Sequence, residues 1–228
     1  PGFPIYESMI NFMGGKAVPI PLREENDFRL DVRELASLIT PRTRLIIVNS
    51  PQNPTGGVLT YSDLGQIARL AVKHQIPVLT DEVYKHFIYD GQFHSVASFP
   101  GMADLSIILD GHSKSYAMTG WRLGYGIMPA DFAKVVATLQ TNAVSCTASF
   151  TQRAGMAALT GPQEPVAAMV NEFKRRRDLI VSGLNSIKGI SCREPKGAFY
   201  VFPNITGTGK DARFMADYLL NEAGVAVL

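Results

Sequence analysis

The chain has 228 residues, 46% of them apolar and 18% charged, and its formal net charge is +2. This composition excludes a disordered or fibrous chain, and the near-neutral balance leaves no footprint for nucleic acid or an anionic membrane surface. No apolar run reaches the ~18 residues that span a bilayer, so no membrane partner is expected.

The first residues, Pro1-Gly2-Phe3-Pro4, carry no signal-peptide pattern. The sequence starts without methionine and ends inside the apolar run Val225-Ala226-Val227-Leu228, so both ends read as cuts within a longer protein. Asp31 and Glu34 form a capping-box pattern ahead of Leu35, Leu38 and Ile39, and Pro41 stops that helix. Residues 43–49 (TRLIIVN) are the first buried-strand run. Thr60 and Ser62 offer caps for a helix in which Leu64, Ile67, Ala68 and Ala71 recur at helical spacing. Residues 76–80 form the next strand, which completes a parallel, right-handed strand–helix–strand unit. Further strands are expected at 105–109 and 122–128. Their short connection suits an antiparallel fourth strand better than a parallel crossover.

Asp131 opens one later helix, and Thr147 or Ser149 another. The longest helix is expected from about Gln163 to Lys188, with Val166, Val170, Phe173, Ile180, Leu184 and Ile187 as its apolar stripe and Gly189 at its C-terminal cap. The run Lys174-Arg175-Arg176-Arg177 reads as the solvated face of that helix. Short strands follow at 190–193 and 198–202, then a helix near 211–222 ending at Gly224, and a strand from Val225. The fold class is α/β: a mostly parallel sheet flanked by helices in residues 1–165, and a partial, smaller α+β domain in residues 166–228. Cys146 and Cys192 form no C-x-x-C or zinc spacing, so free thiols in the cytoplasm are expected, with Cys146 buried as a small apolar residue. His74, His86, His94 and His112 show no zinc spacing either, so no metal is expected, and His112 reads as structural.

In an open parallel sheet, ligands bind beyond the carboxyl ends of the strands. Beyond the first strand lies Asn49-Ser50-Pro51-Gln52-Asn53-Pro54-Thr55-Gly56-Gly57. Beyond the second lie Asp81, Glu82 and Tyr84; beyond the third, Asp110, Gly111, His112, Ser113 and Lys114; and Arg122 starts the fourth. Taken singly, each has an ordinary reading. Asn-Pro-Thr-Gly is a good turn, Asp81 a helix cap, Tyr84 core, and Arg122 half of an ion pair. Their coincidence on one rim is what those readings explain poorly. Together they suit pyridoxal phosphate, which needs a lysine amine, an acid beside its ring nitrogen and a cationic phosphate cradle. Lys114 supplies the amine, Asp81 the acid, Tyr84 and Asn53 donors to the ring oxygen, Arg122 a planar fork for phosphate, and Ser113 a hydroxyl.

Residues 49–57 (NSPQNPTGG), 81–84 (DEVY) and 113–125 (SKSYAMTGWRLGY) resemble the class I/II pyridoxal-phosphate aminotransferases, nearest their prokaryotic aspartate-aminotransferase-like branch. The likeness runs over essentially the whole chain and includes residues 1–6 (PGFPIY) and 197–200 (GAFY). It implies the large domain of that fold and transamination between an amino acid and a 2-oxo acid in a cytoplasmic homodimer. By motif position it makes Lys114 the Schiff-base lysine and proton shuttle, pairs Asp81 with the ring nitrogen, and sets Tyr84 and Asn53 on the ring oxygen. It gives the phosphate to Arg122 and Ser113, and it matches Phe3 to the aromatic that stacks on the ring. Gly111 stands where some relatives carry a serine. The family's N-terminal phosphate-binding stretch precedes Pro1, and its substrate-carboxylate arginine follows Leu228, so residues 1–228 alone are expected to be a poor catalyst. Two alternatives use the same motifs: a pyridoxal-phosphate lyase or decarboxylase, and a catalytically incomplete fragment.

Overall fold

The computed structural model describes residues 1–227. In chain order it holds α1 (Ile5–Phe12), α2 (Val32–Leu38), β1 (Ile46–Asn49), α3 (Tyr61–His74), β2 (Val78–Asp81), β3 (Ser106–Gly111), α4 (His112–Ser115), β4 (Gly124–Ile127), α5 (Ala130–Ala143), α6 (Ser149–Thr160), α7 (Glu164–Asn185) and α8 (Ala212–Asn221). Among the described residues, no helix is long and apolar enough to cross a membrane.

Local chemistry sets the helix starts. Asp31 accepts from the backbone N–H groups of Arg33 (2.8 Å) and Glu34 (3.5 Å), which caps α2. The return half of that box is not made, because the Glu34 carboxylate pairs with Arg23 at 2.7 Å instead. Thr60 makes the full reciprocal box at α3: Asp63 N–H donates to its hydroxyl, and its own N–H donates to the Asp63 carboxylate. Asp211 caps α8 by accepting from Phe214 N–H at 2.8 Å. At α6 the first helical residue is Ser149, and neither it nor Thr147 caps the helix through its side chain.

The strands lie in the order β1-β2-β3-β4; the first two pairings are parallel and the last is antiparallel. Register aligns Asn49 with Asp81 and Asp81 with Leu109, so these strands end level at one edge. β4 enters from that same edge, with Gly124 opposite Gly111 and Tyr125 opposite Asp110. The alternating burial of β1 and β2 sends Ile46, Val48 and Val78 into a core shared with Ile67 and Ala71 of α3 and Leu35 of α2. A second cluster joins Tyr84, Phe87 and Ala198 to Phe173 of α7 and to Phe199.

Several sequence expectations are corrected. The segments at 190–193 and 198–202 do not form ladders; they make only the isolated bridges Ser191–Asn204 and Ile88–Gly197. In the first segment Ile190 donates to the Ile187 carbonyl, Ser191 exchanges bonds with Asn204, and Cys192 N–H donates to the Asn185 side chain; ahead of the second, Lys196 and Gly197 donate to the Gly56 carbonyl, and Ala198 donates to Phe87. Residues 225–227 are not strand, and Leu228 lies outside the described residues. In α7 the inward face carries Val166, Val170, Phe173, Arg177 and Val181, while Ile180, and Ile187 past the helix end, stay exposed. Arg177 is thus no part of a solvated face. Its guanidinium pairs with Asp90 (3.0 Å) and Asp178 (2.7 Å), donates to the Pro195 carbonyl and lies 4.8 Å over the Tyr89 ring. Arg175 and Arg176 do stay in solvent, each bound to Glu172. Cys146 is exposed rather than buried, because it sits in the loop between α5 and α6 with no apolar layer above it.

Candidate functional site

The level strand ends bring the predicted residues to one rim. Asp81, the last residue of β2, accepts from Val83 N–H at 3.1 Å, so its carboxylate also shapes the turn that follows. That turn is not helical; it nevertheless delivers Tyr84 to the same edge, fully buried. The other Asp81 oxygen accepts from the Tyr6 hydroxyl, at the start of the chain. Burial, with Asp81 beside it, pushes the Tyr6 phenol well above its ordinary range.

Asn49 holds the neighbouring loop. Its side-chain amide donates to the Asp81 carbonyl (3.3 Å) and its oxygen accepts from Asn53 N–H (2.9 Å), which pins Asn53 beside the β2 end. Gln52 closes that loop from within, accepting from Thr55 N–H at 2.8 Å.

The short helix α4 follows β3 directly and presents Ser113 and Lys114, both half-buried. The Lys114 ammonium has no ion-pair or hydrogen-bond partner among the described residues. It rests 5.9 Å from the Tyr84 ring centroid and 5.7 Å from that of Phe199, which is cation–π range. The Tyr84 hydroxyl is hydrogen-bonded to that of Tyr200. Burial above all pushes the Tyr84 phenol far up. His112 packs its ring under α6, against Tyr116 and Tyr125, and neither of its buried ring nitrogens has a hydrogen-bond partner among the described residues.

The rim's other acids are already engaged. Asp110 takes the Lys85 ammonium and accepts from the Tyr125 hydroxyl at 2.6 Å. Burial pulls the Lys85 amine down, but the Asp110 contacts outweigh it and leave the net shift upward. Glu82 is buried and accepts from Ser95 and Thr80; burial pushes its carboxyl up.

The structure thus gathers Asp81, Tyr84, Asn53 and Lys114. Arg122 is less tightly held: it adopts a left-handed backbone (φ 51°), is exposed, and donates to Thr119 O at 2.9 Å. It remains beside α4, because the next residue's carbonyl, Leu123 O, accepts from His112 N–H at 3.1 Å. Phe3 reaches the site only edge-on, with its ring 5.8 Å from that of Tyr6. Tyr6, Phe199 and Tyr200 belong to the site although no role was read for them in the sequence. Their signal was membership of the end motifs PGFPIY and GAFY, which says nothing about where the folded chain returns.

Comparison with known proteins fits this geometry. The family model described as aminotransferase class I and II matches residues 1–228. The chain is 42% identical to an aromatic-amino-acid aminotransferase of Thermococcus litoralis and 43% identical to an aspartate aminotransferase of Pyrococcus abyssi. Each alignment covers 100% of this chain and 59% of the relative, so the chain spans a little over half the length of these proteins. The crystal structure of an aromatic aminotransferase from Pyrococcus horikoshii superposes with a TM-score of 0.95 at 42% identity, over 100% of this chain and 62% of that one. The aspartate aminotransferase of Rhizobium meliloti gives 0.94 at 38%, over 100% and 60%. With the model matched from the first residue to the last, the chain belongs to the class I and II aminotransferases.

Proposed function

We propose that this chain is the cofactor-binding centre of a pyridoxal-phosphate aminotransferase that moves an amino group between an amino acid and a 2-oxo acid. The observation that carries the reading is the Lys114 ammonium, held over two aromatic faces on the Asp81 rim without an anionic partner among the described residues. The donor set there fits the cofactor: an amine, a carboxylate, a phenol, an amide, a hydroxyl and a guanidinium on one sheet edge.

When bound, pyridoxal phosphate supplies an electron sink for the bond that breaks at the substrate Cα. Lys114 would hold it through Nζ, and the same amine, when free, would take the proton from the substrate Cα. Asp81 would pair with the ring nitrogen, and the Tyr6 hydroxyl with Val83 N–H keeps its carboxylate oriented. Tyr84 and Asn53 would donate to the ring oxygen. Arg122 and Ser113 would hold the phosphate, and Phe3 would lie against the ring. The division at about residue 165 stands as part of the same proposal, as does a homodimer. The apolar side chains left exposed on α5 and α6, such as Leu139 and Phe150, support an assembly larger than this chain. Two unpaired cysteines suit the cytoplasm.

The test uses the full-length protein carrying this sequence. Borohydride reduction in the presence of pyridoxal phosphate should place the label on Lys114, and a label on another lysine overturns the site. Amino-group transfer to a 2-oxo acid, without carbon dioxide release, should be the reaction; steady decarboxylation would reassign it.

A further inference from the structure

Tyr84 carries more than its ring-oxygen role requires, because its hydroxyl is already bonded to Tyr200. A hydroxyl has one proton and two lone pairs, so the partner's direction decides what Tyr84 has left to give. If Tyr200 accepted, the Tyr84 proton would be engaged. If Tyr200 donates, the Tyr84 oxygen is the acceptor and its own proton stays available.

We propose that Tyr200 is a positioning residue for Tyr84: its hydroxyl donates to the Tyr84 oxygen and leaves the Tyr84 proton aimed at the cofactor's ring oxygen. The inference rests on the proposed function and deepens it. Three observations carry it. Tyr84 is 2% exposed, so no bulk water substitutes for Tyr200. The two rings meet edge to face, 5.5 Å apart at 79°, and Phe199 closes on Tyr84 from a second direction at 5.1 Å and 87°. Tyr200 is also firmly delivered. Residues 196–198 are stitched to the first domain through Gly56, Phe87 and Tyr89, and the Phe199 ring stacks on Phe173 of α7 at 4.9 Å. A donated bond polarises the acceptor's own O–H and makes it a stronger donor. Tyr200 therefore strengthens the bond from Tyr84 to the ring oxygen at one remove.

The sign follows. A proton offered to the ring oxygen draws density from the atoms that share a proton with it, so they take up a proton less readily. Weakening that offer raises the pH midpoint of the visible cofactor band. In the full-length, cofactor-loaded protein, Tyr84→Phe should raise the midpoint. Tyr200→Phe, which keeps the ring packing, should raise it less, by about half a pH unit, the size of one ordinary hydrogen bond. In the double variant, Tyr200→Phe should add nothing. A merely structural Tyr200 would lower thermal stability without moving the midpoint. If Tyr84→Phe shifts the midpoint and Tyr200→Phe leaves it in place or lowers it, this proposal falls and the Tyr84 role stands. An equal shift by Tyr200→Phe in the Tyr84→Phe background also overturns it, because Tyr200 then acts by another route. No shift from Tyr84→Phe removes both assignments while leaving the Lys114 label as an independent result.

Discussion

The two sides of the sheet are packed differently. Around β1, β2 and α3, Ile67, Ala71 and Val78 are 0% exposed. Around β4, α5 and α6, Ile127 is 56% exposed, Leu139 64% and Phe150 70%. The candidate site straddles this divide. Asp81, Asn53 and Tyr84 stand on the closed side and are fixed by bonds to Tyr6, Val83, Asn49 and Tyr200. Arg122 stands on the open side, exposed, with few contacts, and Phe3 is exposed as well, with its ring edge-on to Tyr6. The difference teaches that one end of the rim is rigid within this chain, while the other has loose contacts that further protein surface would tighten.

Substitutions on either side sharpen the contrast. The largest effect belongs to the rigid end. In the full-length protein, Asp81→Asn should leave cofactor bound but cut turnover by about a hundred- to a thousandfold, because a preorganised charge is lost where charge develops. Arg122→Ala should do the reverse, weakening cofactor binding by about tenfold or more while loaded enzyme still turns over. Equilibrium dialysis beside single-turnover rates separates them, and a matching pattern in both variants breaks the comparison.

Stability should follow the same line. Ile67→Ala opens a hole in a closed core and should cost about 2–5 kcal/mol in denaturant unfolding. Leu139→Ala removes an exposed side chain and should cost under about 0.5 kcal/mol. Equal costs would mean that α5 is packed by something in solution.

The ion pairs between α7 and Asp90 fall between these two. Removing the partner of a buried charge is severe, but Asp90 is half-exposed and rehydrates, so Arg177→Met should cost about 1–2 kcal/mol. Bonds from Lys174 and Arg177 hold the Asp90 carboxyl below its ordinary 3.8. A depressed folded value means that this stability is present above pH 3.8 and is lost as pH falls through the folded value. The gap between Asp90→Asn and the parent should therefore narrow in acid. A gap that is constant with pH would remove Asp90 from the account.

The sheet was legible in the sequence because its signals are local. β-branched runs, the Thr60 cap and a connection too short for a crossover give four strands and the direction of the fourth. Strand ends then gave the rim. Tyr6 and Tyr200 were not legible, because their partners lie 75 and 116 residues away and no periodicity encodes such a return. Arg177 misled for a related reason. A basic run on a helix reads as solvated unless the acids it meets, Asp90 among them, are known to fold against it. Residues 190–202 misled through composition: apolar and β-branched, they look like strands, but their backbone groups find partners one residue at a time, on Ile187, Asn185 and Asn204 at one end and on Gly56 and Phe87 at the other.

Gly56 ties these strands of chain into one mechanical part. Its carbonyl receives both Lys196 and Gly197, and at φ +71° an added Cβ would stand 2.2 Å from the Pro195 side chain. The turn that carries Asn53 and the segment that carries Tyr200 therefore share a single joint. For an engineer, the two are one module. A loop grafted at 52–57 must bring a glycine at its fifth position and a compatible 195–197, or the ring-oxygen contacts shift together even though neither Asn53 nor Tyr84 has been touched.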